Sequence, residues 1–327
     1  MKISCIVVAH NSSGTINKCL DSVFSQSHVD KEVFVVDNGS SDKTADIVRS
    51  GYPQARLISN YKNAGAAEAR NQAIDQATGV WVLALDADAF LGKDFLSKFC
   101  DFIKGQGSSA AIPGPIAPWF KGLPSAPPFW GGWSGIPLSA ASVAPKIYYP
   151  DGKTIYSAGQ CLTALRRFYE LGHDKDDVGQ FDRIGEVFGA CSATALYRLD
   201  MLKDIKENSG YFDRDFFYMV EDVDLSWRAR KKGWKAYACP ACVSFHSGSG
   251  AGFSAREKKF FSIRNRFIMM LKNDNKARLL LFSLPLALYE ILRFFYLLCK
   301  KEGGVYCRAV FSGIDIIVKK EKERRSK

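Results

Sequence analysis

The 327-residue sequence predicts an α/β fold: a mainly parallel sheet flanked by helices, followed by a basic, helical C-terminal extension. Three observations carry this. Apolar runs of strand length alternate with helical stretches through the first hundred residues, which implies right-handed βαβ units and a sheet covered on both faces. Polar turns rich in Asp, Asn, Ser and Gly follow those runs, and in an open α/β sheet ligands bind in the crevice beyond the carboxyl ends of the strands. The last quarter then changes character, with an apolar stretch and a concentration of positive charge.

Taken in order, Ile3 to Ala9 is the first strand-length run. Thr15 to Phe24 places Ile16, Leu20, Val23 and Phe24 at helical spacing, and Val33 to Val36 is the second strand. Leu57-Ile58 is a weak third strand, Ala66 to Ala77 an alanine-rich helix, and Trp81 to Leu85 the fourth strand. From Ile112 to Pro145, eight prolines and three tryptophans (Trp119, Trp130, Trp133) break any periodicity. That segment reads either as an acceptor-facing lid or as an ordered surface excursion. Strand structure resumes at Lys146 to Tyr149, and Lys235 to Phe245 reads as a further strand. The expected division is a domain over residues 1–252, with an insertion at about 112–145, and an extension over 253–327.

Charge supports the same division. Residues 1–252 hold 27 Lys/Arg against 27 Asp/Glu, whereas residues 253–327 hold 18 against 7, so the formal charge of +11 belongs to the tail. An anionic membrane surface is the expected partner of that tail. No nucleic acid is expected, because no reading surface or known motif accompanies the charge. Leu279 to Cys299 is interrupted only by Ser283, Pro285, Glu290 and Arg293. A membrane span, an interfacial amphipathic segment and a helix pair docked on the core all remain open, although two charges costing roughly 2.5–3.5 kcal/mol each and a proline argue against spanning. Ile3 to Ala9 is too short for a secretory leader. The expectation is a cytoplasmic protein, peripheral on the cytoplasmic face of the membrane. Nine cysteines scattered among apolar neighbours suit reduced, buried thiols, and Cys239-Pro240-Ala241-Cys242 lacks the second pair a zinc site needs.

The chemistry-bearing residues stand at strand ends. The fourth strand runs into Asp86-Ala87-Asp88, hard oxygen ligands suited to Mg²⁺ or Mn²⁺ or, on their own, a solvated acidic turn. The first strand ends in Ala9-His10-Asn11-Ser12-Ser13-Gly14, which is neither G-x-G-x-x-G nor a Walker loop, so a dinucleotide dehydrogenase and a P-loop NTPase are both disfavoured. The second ends at Asp37, placed either to accept from a ribose hydroxyl or base N–H or to close a turn whose Asp42 caps the next helix. Glu221-Asp222-Val223-Asp224 opens a helix after Phe216-Phe217-Tyr218. Acids there complement the helix dipole, or one of them, desolvated among aromatics, acts as a general base. His246 stands at a strand end before a glycine-rich loop, as a core histidine or a ligand.

The ordered set VVAHNS, VVDNGSSDKT, NAGAAEARNQAI, LALDADAF, VFGACSATALYR, FDRDFFYMVEDVDLSWRARKKGW and VSFHSGSG resembles the family 2 glycosyltransferases of GT-A fold, within them the bacterial rhamnosyltransferase-like branch. The resemblance runs from about Lys2 to His246, and more loosely through Arg264-Asn265-Arg266. It implies a Rossmann-like nucleotide-diphospho-sugar transferase that carries out inverting, metal-dependent transfer to a hydroxyl of a saccharide or lipid-linked acceptor in cell-envelope polysaccharide synthesis. By the same resemblance Asp222 is the catalytic base. Ala9, Asn11, Asp37, Arg70, Asp86 and Glu221 bind the nucleotide sugar, rhamnose being the branch's sugar, and Asp86, Asp88 and His246 hold Mn²⁺ or Mg²⁺. His10 departs from the tyrosine common at its position. The alternatives are a sugar nucleotidyltransferase, which lacks its expected glycine- and arginine-rich loop here, and a non-catalytic, membrane-associated sugar-nucleotide-binding subunit.

Overall fold

A computed structural model describes residues 1–27, 30–105, 140–248 and 252–325. Its centre is built from the βαβ units the sequence predicts. Strands β1 (Ile3–Ala9), β2 (Lys31–Asp37), β3 (Arg56–Ser59) and β4 (Trp81–Asp86) run parallel in the order β3-β2-β1-β4. Helices α1 (Ile16–Phe24), α2 (Thr44–Gly51) and α3 (Ala66–Ile74) connect them.

Alternation along β1 separates two cores, because successive side chains point to opposite faces of a strand. Ile3, Cys5, Val7 and Ala9 join Leu20 and Val23 of α1 on one face, with Phe95 and Phe99 of α4 (Phe95–Ile103). Ile6 of β1 packs on the other face with Phe34, Val36 and the alanines of α3. Small alanines let α3 lie close to the sheet. Truncating a fully buried residue such as Leu20 to alanine costs about 2–5 kcal/mol.

Beyond β4 the sheet becomes mixed. Between β4 and α4 comes β5 (Ala89–Leu91), and the chain then supplies β6 (Ala140–Tyr148), β7 (Thr154–Ser157), β8 (Gln160–Leu162), β9 (Phe168–Glu170), β10 (Lys175–Asp176), β11 (Gly185–Val187) and β12 (Thr194–Arg198). After α5 (Leu199–Ile205) and α6 (Glu221–Lys231) comes β13 (Lys235–His246). The path continues β4-β12-β6-β7-β10, with β12 antiparallel to both β4 and β6. Strand β13 lies parallel to β6 and antiparallel to β5, which brings His246 opposite Ala89. That pairing delivers the histidine beside the Asp86–Asp88 turn.

Most of the expected 112–145 insertion lies outside the described residues. Its last six residues, 140–145, belong to β6, so strand structure begins before Lys146. Pro145 is accommodated next to a register shift between Cys239 and Val243 of β13. Cys239 and Cys242 are buried free thiols 3.1 Å apart, but of the nine cysteines expected to be buried, Cys100, Cys161 and Cys307 are half-buried and Cys299 is exposed.

The C-terminal residues form α7 (Ala255–Asn273), α8 (Lys276–Leu281), α9 (Ser283–Cys299) and α10 (Gly303–Arg325). Ser254 and Glu257 close a reciprocal capping box at the start of α7. Ile268 and Met269 of α7 pack against Phe216, Val220 and Val223, which ties this helix to the start of α6. The apolar stretch Leu279 to Cys299 breaks between α8 and α9, just before Pro285, which sits in the first turn of α9 where a missing N–H is tolerated. Among the described residues no helix is long and apolar enough to cross a membrane.

Candidate active site

Parallel pairing of β4, β1 and β2 sets their carboxyl ends side by side. Val8 is in register with Asp86, and Ala9 with Asp37. Asp37 is buried, and its Oδ1 accepts the Ser40 N–H at 3.3 Å. Asn38 donates its N–H to the Ala9 carbonyl at 2.7 Å, and its own carbonyl lies 3.0 Å from Nδ1 of His10. Asn11 has φ 51° and accepts the Ser41 N–H at 2.8 Å, so it braces the two loops against each other. Asp42 accepts N–H groups from Ser13 and Thr44, joining the starts of the first two helices.

The densest polar network is centred on Arg70, which α3 places beneath the strand ends. Its Nη2 donates to Asp86 Oδ1 at 2.7 Å, and its Nη1 donates to Glu221 Oε1 at 2.7 Å. The guanidinium is 3% exposed, and its positive charge is held firmly by the two acids despite burial. Burial raises the Asp86 carboxyl above the usual range, with Arg70 opposing. Burial also pushes Glu221 up to about 7, with Arg70 again opposing and Asp222 reinforcing.

Asp88 and His246 complete one side. His246 Nε2 is 3.0 Å from Asp88 Oδ1 and 3.9 Å from Asp86 Oδ2. Burial alone lowers the affinity of this imidazole for a proton, but the Asp88 hydrogen bond and the two carboxylate charges raise it overall. Ligand atoms of Asp86, Asp88 and His246 lie within 4.8 Å of one another. Two hard carboxylates and an imidazole fit a divalent cation such as Mn²⁺ or Mg²⁺. The second imidazole nitrogen is buried without a hydrogen-bond partner.

Asp222 occupies the other side. Its Oδ2 accepts the Ser192 N–H at 3.0 Å and its Oδ1 the Val223 N–H at 2.8 Å. Burial nevertheless leaves its carboxyl above the ordinary range. Asp224, the third acid of the run, faces away. It is fully buried and is held by Arg228 of its own helix and by Lys272 and Asn273 of α7, the last two anchoring α7 to α6. One acid of the three is therefore a structural anchor.

Two further residues belong to this site. Glu170, at the end of β9, lies with Asp222 and Cys191 in a group whose ligand atoms are within 4.8 Å of one another. It accepts from the Ser157 hydroxyl at 2.6 Å and from Gln160 Nε2 at 3.1 Å. Burial and the charge of Asp222 push its carboxyl up to about 8. The only local signal is an acid closing the aromatic strand Phe168-Tyr169-Glu170, which is weak.

Asn265 is the other. Phe217 (φ 63°), Met219 (φ 68°) and Val220 (φ 71°) all adopt positive φ immediately before the acidic pair, a conformation non-glycine residues rarely take. The Tyr218 N–H donates to the Phe216 carbonyl at 2.7 Å, closing a γ-turn over Phe217. Asn265 Nδ2 faces the carbonyls of Phe216, Tyr218 and Met219 at 2.7–2.9 Å, and Arg264 Nη2 donates to those of Asp215 and Phe216. The Phe217 carbonyl accepts from Ala66 N–H at 2.7 Å. Gly65 permits this approach, since a Cβ there would sit 2.6 Å from that oxygen.

Residues 4–121 match the sequence profile of Glycosyl transferase family 2. The succinoglycan biosynthesis protein ExoO of Rhizobium meliloti (strain 1021) is 34% identical over 111 residues, 34% of this chain and 32% of the relative. The poly-beta-1,6-N-acetyl-D-glucosamine synthase of Staphylococcus epidermidis is 26% identical over 228 residues, 69% of this chain and 45% of the relative. The chain spans less than half the length of these curated relatives. Among solved structures, the mannosyltransferase PcManGT from Pyrobaculum calidifontis in complex with GDP-Man and Mn²⁺ shares the fold, with a TM-score of 0.53 at 15% identity over 95% of this chain and 86% of that one. Residues 4–121 are thus similar to a family 2 glycosyltransferase domain, and the mainly parallel sheet flanked by helices matches the fold of GT-A glycosyltransferase structures.

Proposed function

We propose that the protein is an inverting, metal-dependent glycosyltransferase acting on a nucleoside-diphosphate sugar, with a saccharide or lipid-linked acceptor, in cell-envelope polysaccharide synthesis. Rhamnose is the first sugar to test, on the branch-level resemblance. The observation that carries this reading is the Arg70 bridge, which ties Asp86 on one side to Glu221, the neighbour of Asp222, on the other.

Each side has its own task. Asp37, beside Ala9 and the Asn11 loop, receives the nucleoside, its carboxylate accepting a base N–H. Asp86, Asp88 and His246 hold Mn²⁺ or Mg²⁺, which when bound supplies positive charge against the diphosphate. Arg70 fixes Asp86 and Glu221 in place. Asp222 takes the proton of the acceptor hydroxyl as that oxygen attacks the anomeric carbon from the face opposite the leaving group, which inverts the configuration. Burial raises its carboxyl above the ordinary range, the direction in which a carboxylate becomes a stronger base.

Residues 1–252 are proposed as the catalytic domain and 253–327 as an extension bound peripherally to the cytoplasmic face of an anionic membrane. What supports this is α9. Leu284, Leu288, Leu292 and Phe295 are exposed at helical spacing, while Glu290 turns inward to Arg266 and Tyr306. Exposed Lys276, Arg278, Lys300 and Lys301 flank the apolar face.

The deciding experiment is a donor screen across UDP-, GDP- and dTDP-sugars, reading hydrolysis and thermal stabilisation with Mn²⁺ and with EDTA. Metal-dependent response to one donor is the expected result. Silence from all donors in folded, metal-supplied protein overturns the reading.

A further inference from the structure

A second polar site lies outside the strand-end crevice. An open cleft of about 650 Å³ runs between α7 and α9, with Phe168 of β9 in its wall. Four basic side chains line it. Lys259 is paired with Glu302 and Arg266 with Glu290. Arg167 and Arg293 have no carboxylate partner among the described residues, and Nη1 of Arg293 is buried with no hydrogen-bond partner. Burial, with a contribution from the neighbouring Arg293 charge, weakens the hold of Arg266 on its proton despite Glu290. This is a site that gains from an anion.

The rim specifies what kind of anion. Leu292 and Tyr296 line the cleft and are 61% and 63% exposed, continuous with the outer apolar face of α9. A cationic cleft opening onto an apolar face matches an amphiphile with a phosphate head, since guanidinium groups bind phosphate oxygens through charge-assisted hydrogen bonds. The cleft also adjoins the acceptor side of the active site. Phe168 and Glu170 share one face of β9, about 7 Å apart by strand rise, and Glu170 stands beside Asp222.

We propose that this cleft binds the phosphate or diphosphate of a lipid-linked acceptor, with the hydrocarbon chain along the outer face of α9 and the sugar directed past Glu170 toward Asp222. The proposal rests on the reading of Asp222 as the acceptor-side base. Arg167 and Arg293 are then acceptor-binding residues that take no part in donor chemistry.

The test uses the full chain and three probes: farnesyl diphosphate below its micelle concentration, inorganic diphosphate, and phosphatidylglycerol vesicles. Wild type is expected to bind farnesyl diphosphate more tightly than inorganic diphosphate. Arg293→Gln and the surface variant Arg167→Glu should each weaken farnesyl diphosphate binding by about tenfold, with metal-dependent donor hydrolysis unchanged. Equal binding of farnesyl diphosphate in wild type and both variants overturns the site. Arginine-dependent binding to phosphatidylglycerol vesicles without farnesyl diphosphate binding overturns the acceptor assignment and makes the cleft a bulk-lipid headgroup site. Failure of the Asp222 reading shows separately, as retained turnover in Asp222→Asn.

Discussion

The Arg70 guanidinium lies 2.7 Å from Glu221, both groups being almost wholly buried, and its second arm reaches Asp86 at the same distance. One cation thus pairs with an acid from the sheet and an acid from α6. Arg70→Ala leaves a buried carboxylate unpaired, which costs about 3 kcal/mol, read as a loss in urea-unfolding free energy. Arg70→Lys keeps the charge but loses the planar fork and should fall between wild type and Arg70→Ala. An unchanged unfolding midpoint in Arg70→Ala would remove the bridge from any structural role.

Asp222→Asn should leave donor affinity nearly intact and reduce turnover by about 10²–10⁴-fold, the usual contribution of a general base. Asp88→Ala should instead abolish metal-dependent donor binding. Calorimetric titration of a nucleotide sugar with Mn²⁺ present and absent separates the two variants. Wild-type turnover in Asp222→Asn sinks its assignment as the base, and unchanged metal-dependent affinity in Asp88→Ala does the same for the cation site.

The parallel half of the sheet was legible in the sequence because its strands are continuous apolar runs. The run Ile3 to Ala9 coincides with β1 residue for residue, and Trp81 to Leu85 ends one residue before β4 does. The polar groups after those runs converge because parallel register leaves them no other place. The mixed half was harder to read. Strand β6 starts inside a proline-rich stretch, and β8 to β11 are two or three residues long, too short for periodicity to register. Glu170 closes one of these short strands and so carries no periodic signal. The positive φ angles at Phe217, Met219 and Val220 carry no local signal for another reason, since no glycine or asparagine marks them and the restraint comes from Arg264 and Asn265, whose hydrogen bonds to this turn span 46 or more residues.

That distant restraint predicts a positioning role for Asn265. Asn265→Asp preserves the shape of the side chain but replaces the amide that faces three carbonyls with a carboxylate. The turn before Glu221 should relax, displacing Asp222, and a displacement of about 1 Å costs about a hundredfold in turnover. Donor affinity should fall far less than turnover, because Asp37, Asp86 and Asp88, the acids proposed to meet the nucleotide and its metal, stand on other elements. A purely structural role lowers the unfolding midpoint yet leaves turnover per folded molecule, and its pH profile, as in wild type. Normal turnover in folded Asn265→Asp removes the positioning role.

Glu170 gives stability a pH dependence whose sign follows from its carboxyl, raised from 4.5 to about 8 by burial and the charge of Asp222. Between those values the folded protein keeps a proton that the unfolded chain has released, so stability falls as pH rises. The stabilisation is complete below about pH 4.5 and lost by the time Glu170 has ionised in the folded state. Glu221, raised to about 7, acts with the same sign over a narrower window. Glu170→Gln keeps a neutral hydrogen-bonding side chain and has no proton to lose. Its unfolding free energy relative to wild type should therefore grow steadily from pH 5 to pH 8, measured by urea denaturation at half-unit intervals. A difference that stays constant across that range would mean that Glu170 ionises normally, and that Glu170 and Asp222 do not share their charge in the folded protein.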